Sequence, residues 1–178
     1  PKVRNVVFTA IGLTCMMLVG SVEFAQGPGL YELPLFADET GVVGVVSVWN
    51  SPQNLHIKMI PNAEWRIVDT QSYVGTLEEL PIKKGQPDMG KFPIKEDYGD
   101  QPQIMYDLVL DLKDDLDFSW GQKTADERTR VAAVHAKLVL VDPDTGWAVP
   151  DEDGNLIYDD AWAKGPYFIG DTHNSWYL

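Results

Sequence analysis

Residues 104–112, IMYDLVLDL, alternate without a break: Ile104, Tyr106, Leu108, Leu110 and Leu112 fall on one side, Met105, Asp107, Val109 and Asp111 on the other. Successive side chains of an extended chain point to opposite faces, so a period of two predicts a strand with one face in a core and one in water. Similar stretches flank it. Downstream, residues 131–141 set Ala132, Val134, Ala136, Leu138 and Leu140 against Val131, Ala133, His135, Lys137, Val139 and Val141, and the first set is expected to face the core. Upstream, residues 55–60 alternate Leu55, Ile57 and Met59 with His56 and Lys58, and the β-branched run VVGVVSVW at 42–49 stops at Asn50, Ser51 and Pro52, which favour turns. Those two runs are expected to pair as a hairpin. Residues 65–74 also read as extended, but both of their sides mix polar and apolar residues, so the pattern sets no register.

Between these runs the chain is punctuated. Gly75, Pro81, Gly85, Pro87, Gly90, Pro93, Gly99 and Pro102 forbid any long element in 75–103, and a connection of that length in a compact domain is usually functional or mobile. Residues 113–130 are polar, with at most a short helix at 124–130. DPDTG at 142–146 and DEDGN at 151–155 are turn chemistry, in which Asp side chains bond nearby amides and Gly supplies positive φ. Short strands at intervals of about ten to fifteen residues, separated by such turns, predict an all-β fold. The expected architecture is an antiparallel β-sandwich over residues 41–178, immunoglobulin-like or jelly-roll-like, preceded by an extended lead-in at 26–40.

The chain opens with Lys2 and Arg4, an uncharged apolar run at 6–20, and Ala25 before Gln26. These are the three regions of a cleavable signal peptide, and the run is shorter than the roughly 20 residues that span a bilayer. Residues 1–25 are read as that leader, with a retained membrane anchor as the alternative, and the remainder is expected to be secreted, extracellular or in the cell envelope. Loss of Lys2, Arg4 and Glu23 takes the net charge from -13 to -14. Such a charge repels nucleic acid and anionic membrane surfaces. Cys15 is the only cysteine and lies in the apolar run, so the remainder has no disulfide and no thiol chemistry.

Few residues suggest a site. Asp142, Asp144, Asp151, Glu152, Asp153, Asp159 and Asp160 crowd the last third of the chain. Their first reading is turn formation and solvated charge; the second is Ca²⁺, which takes six to eight oxygens, with Asp151, Asp153 and Asp160 as the ligands. The spacing does not fit an EF-hand, because Gly154 directly follows Asp153. His56, His135 and His173 are isolated, and no HExxH, GxSxG, GxGxxG or GxxxxGK[ST] occurs. The common nucleophilic, metallohydrolase and nucleotide chemistries are therefore disfavoured. A secreted hydrolase using an acidic pair would need two carboxylates facing each other. Six tryptophans and seven tyrosines exceed what a small core needs. Trp120 and Trp147, in polar, turn-rich stretches, are the candidates to stack on a sugar or anchor a protein partner. Leu30 to Phe36 could lend a strand to a neighbouring copy, giving self-association.

Four segments carry a resemblance: VWNSPQNLHIKM (48–59), WRIVDTQSYVG (65–75), GQPDMGKFPIK (85–95), and DDAWAKGPYFIG (159–170) with NSWYL (174–178). Their order resembles that of uncharacterised secreted β-rich domains in bacterial and archaeal surface proteins. The chain departs from that pattern at Val68 and Asp69, where Thr-Glu is usual, and in an inserted acidic turn near Asp151. The resemblance implies an extracellular sandwich and brings no catalytic residues. A non-catalytic structural or adhesive surface module, stabilised by Ca²⁺ if the acidic set gathers, is the expected function, with a carbohydrate-binding module as the alternative.

Overall fold

The computed structural model describes residues 30–38, 40–117, 131–165, 168–171 and 174–177. The leader, Cys15, Trp120, the expected helix at 124–130 and His173 lie outside the described residues. Among them there is no α-helix, and hence no helix long and apolar enough to cross a membrane.

The strands are β1 (Leu30–Ala37), β2 (Gly41–Asn50), β3 (Asn54–Pro61), β4 (Trp65–Gly75), β5 (Ile82–Lys83), β6 (Gln86–Pro87), β7 (Ile94–Asp97), β8 (Tyr106–Asp111), β9 (Val131–Leu140), β10 (Tyr158–Ala163), β11 (Phe168–Asp171) and β12 (Asn174–Tyr177). Eight of them form one antiparallel sheet in the order β7-β4-β9-β10-β1-β2-β3-β8. β5 with β6 and β11 with β12 are separate small hairpins.

Local chemistry explains the first turns. Gly41 takes φ +88 at the tight β1–β2 reversal, a conformation that other residues reach only with strain. After β2, Ser51 Oγ accepts the Asn54 amide at 2.9 Å and Ser51 N donates to Asn54 O at 2.8 Å. That closed turn returns the chain as β3, in the register Val48↔Ile57, so the expected hairpin forms. Leu55, Ile57 and Met59 face inward as their alternation predicts.

The sheet curls so that its concave side is lined by one cluster drawn from all its long strands: Leu35, Val46, Ile57, Ile67, Tyr106 and Leu138 are among its buried members. Each such side chain stabilises the fold by about 1.5–3 kcal/mol on leaving water. The two ends of the sheet meet at one point. Ile67 on β4 and Gln103, just before β8, exchange backbone hydrogen bonds of 2.8 Å each way.

Several expectations need correction. The 26–40 lead-in, read as extended and able to lend a strand to an open edge, supplies the eight-residue strand β1. That strand is interior, paired with β10 and with β2, because Leu35 and Ala37 complete the core. Ile104 was assigned to the inward side, but it is 67% exposed, since the chain bends between the Gln103 bridge and the start of β8. On β9 the predicted inner face is right, yet Ala133, His135, Val139 and Val141 on the other face are buried too. For Ala133 the cause lies in 76–93: Leu80 and Phe92 from this segment pack on Tyr73, Ala133 and Trp162 as a second small core outside the sheet, and Trp162 also lies against the His135 ring.

Candidate functional site

Trp147 is 77% exposed, the most exposed of the large apolar side chains described. It sits on an excursion between β9 and β10 that two Asp-headed turns build. Asp142 Oδ1 accepts the amides of Asp144 (3.0 Å) and Thr145 (2.8 Å) and the Thr145 hydroxyl (3.1 Å), and Gly146 takes φ +73. The chain then turns back, with Val141 opposite Ala148, leaving Trp147 at the bend. Asp151 Oδ1 accepts the amides of Asp153 (2.9 Å) and Asn155 (2.8 Å), and Gly154 takes φ +84. Leu156 and Tyr158, 46% exposed each, follow as the chain enters β10.

These hydrogen bonds give two of the acidic residues a structural task. The backbone amides hold the carboxyls of Asp142 and Asp151 below the ordinary carboxylate value, Thr145 being the leading donor to the first and Asn155 to the second. Asp111 is held low in the same way by the amides of Asp114 and Lys113. The structure does not gather Asp151, Asp153 and Asp160 into a ligand set: Asp151 is engaged by its own turn and Asp160 lies beside His135. Among the described residues no group of three or more His, Cys, Asp or Glu side chains could hold a metal ion. Asp107, Asp114, Asp115 and Asp117 are exposed on and just after β8.

A polar cluster that the sequence did not reveal lies on the outer face of the sheet, beside Trp162 of the second core. Gln71 on β4 and Trp162 on β10 are the cross-strand partners of His135 on β9, so all three project from the outer face of the sheet. Gln71 Oε1 is 2.5 Å from His135 Nδ1, and Gln71 Nε2 donates to Asp69 Oδ1 at 2.5 Å. Asp160 Oδ1 is 3.2 Å from His135 Nε2, within ion-pair range although not aligned as a hydrogen bond. Contact with His135 is the largest cause holding the Asp160 carboxyl below its usual value, and Lys137 adds to it. The partners of His135 are 64 and 25 residues away in sequence, and alternation had put His135 on a face read as wet.

The chain matches no protein-family model, no curated protein and no solved structure.

Proposed function

We propose that this chain is a non-catalytic secreted or cell-surface module with a structural or adhesive role, and that the hairpin carrying Trp147 makes its principal contact. The observation that carries this reading is the exposure of the Trp147 indole on a bend braced by Asp142 and Asp151. A large aromatic side chain held in water at a braced bend, and more exposed than any other large apolar side chain described, is a typical contact anchor. The sandwich reading is supported by the curl, which sets β7-β4-β9-β10 against β1-β2-β3-β8 across one core. Export rests on the 1–25 leader, and fractionation of the full chain tests it. Self-association through Leu30–Phe36 would require β1 to leave both of its partners, as an exchange of strands between copies.

Trp147 also favours the carbohydrate-binding reading, because an exposed indole offers a flat face to the C–H groups of a sugar ring. The experiment compares wild type and Trp147→Ala for retention by an envelope fraction and in native gels containing polysaccharide. Loss of envelope retention alone supports a protein contact, and loss of gel retardation supports a glycan. Full retention of both by the variant would reject the assignment of Trp147. The acidic-pair hydrolase would need two facing carboxylates, and those of Asp111, Asp142 and Asp151 are taken up by backbone amides of their own turns.

A further inference from the structure

His135 is 2% exposed, yet a polar group faces each of its ring nitrogens. Asp69 is a carboxylate and can only accept, so the Gln71 amide must turn its NH₂ toward Asp69 and its oxygen toward His135 Nδ1. Asp160 presents a second acceptor to Nε2. A ring with one N–H can donate to only one of these and would set a lone pair against the other. A ring with both N–H groups donates to Gln71 Oε1 and sets a positive charge 3.2 Å from the Asp160 carboxylate. The third neighbour is Trp162, with ring centroids 4.8 Å apart, and an indole face attracts a cation. Trp162 in turn takes Phe92 edge-on at 6.4 Å, and Phe92 with Leu80 anchors the 76–93 segment to the sheet.

We propose that Asp69, Gln71, His135 and Asp160 form a protonation-dependent latch: with both ring protons present, residues 76–93 are held on the outer face of the sheet, and loss of one proton loosens them. The charged groups around the ring are Asp160 from β10, Asp69 from β4 acting through Gln71, and Lys137 from β9, whose ammonium lies over the Tyr158 ring at 4.6 Å. The 76–93 segment packs its apolar side chains on Trp162, Tyr73 and Ala133, and among the described residues none of its charged groups pairs with His135. The direction follows from the pairing. The latch needs an ionised Asp160 and a ring carrying both protons, so it is complete where the ring is charged and is lost where a rise in pH takes one ring proton away. Asp160 sets the lower limit, because its depressed carboxyl gives up its charge only well into acid. Opening would uncover Tyr73 and Trp162, two aromatic side chains now covered by the segment.

The test is cleavage by a lysine-specific protease, for which Lys83, Lys84 and Lys91 are exposed targets, on wild type and His135→Gln at about pH 5 and pH 8, the range over which an imidazole changes charge. Rates are normalised to an unfolded substrate at each pH. The latch predicts several-fold faster cleavage in 76–93 at the higher pH in wild type, and no pH dependence in the variant. Equal pH ratios in the two proteins would overturn it. Should His135→Gln fail to fold, ¹⁵N NMR of the wild-type imidazole decides. Two protonated nitrogens at pH 5 together with pH-dependent cleavage support the latch, and a single-proton ring at pH 5 contradicts it.

Discussion

The hydroxyl of Tyr106, at the start of β8, lies 3.4 Å from Ser72 Oγ on β4, although seven positions in the sheet order separate β8 from β7 at the far edge and β4 is next to that edge. This contact spans the interior of the curl and, with the Gln103–Ile67 bridge, links the two ends of the sheet. Burial pushes the Tyr106 phenol above its ordinary titration range, so it stays a neutral donor. Tyr106→Phe should cost about 1 kcal/mol, because it leaves the buried Ser72 hydroxyl without that partner across a long hydrogen bond. Tyr106→Ala should cost about 3–5 kcal/mol through the cavity it leaves. Urea unfolding of both variants measures the difference.

Gly44 should tolerate no side chain. A Cβ there would stand 2.5 Å from the backbone oxygen of Ile60 and 2.7 Å from Pro61 Cα, neither of which can swing away. Gly44→Ala is expected to destabilise by about 1–3 kcal/mol, as overpacking does, read as a lower midpoint in chemical unfolding. Gly90→Ala is the control: its Cβ would meet only the flexible Asp88 carboxylate at 3.3 Å, so a nearly unchanged midpoint is expected.

The turn carboxylates give a pH dependence with a definite sign. Asp142 and Asp151 have depressed carboxyls in the folded chain, so they contribute stability above the unfolded carboxylate value of about 4, and lose it as pH falls through the folded value. Asp142→Ala and Asp151→Ala should each lower the melting midpoint at pH 7, and the deficit against wild type should vanish in strong acid. Millimolar Ca²⁺ and chelator, compared on the wild-type midpoint, test whether a cation is held as well. A rise with Ca²⁺ would show an ion bound to the native state.

Phe92 links the 76–93 segment to the sheet, with its ring 6.0 Å from Tyr73 and 6.4 Å from Trp162. Phe92→Ala should cost about 3–5 kcal/mol if the segment and sheet unfold together. Proteolysis confined to 76–93, with the global midpoint little changed, would instead show that the second core opens by itself.

Much of the sheet was legible because alternation survives wherever one face is wet. Leu55, Ile57 and Met59 read correctly, as did Tyr106 and Leu110. β4 was illegible for a stated reason. Its register shifts between Ile67 and Asp69, so Trp65 and Ile67 point inward before the bulge and Thr70 and Ser72 after it. A bulge exchanges the odd and even faces, and a single period cannot describe both halves. The extended character of β1 was legible but its interior place was not, because Pro34 suits an edge and the two partners that flank it, β2 and β10, come together only in the folded sheet. The exposure of Trp147 was legible from its polar, turn-rich surroundings. The His135 cluster was not, since three strands and a covering segment must assemble before its neighbours exist.

The account depends on a single sheet that curls around one core with β1 in its middle. Deleting residues 30–37 and following thermal unfolding by circular dichroism tests this most directly. Loss of the cooperative transition is predicted, because β2 and β10 would lose their shared partner and the core would lose Leu35 and Ala37. A truncated chain that melts cooperatively at the wild-type midpoint would contradict it.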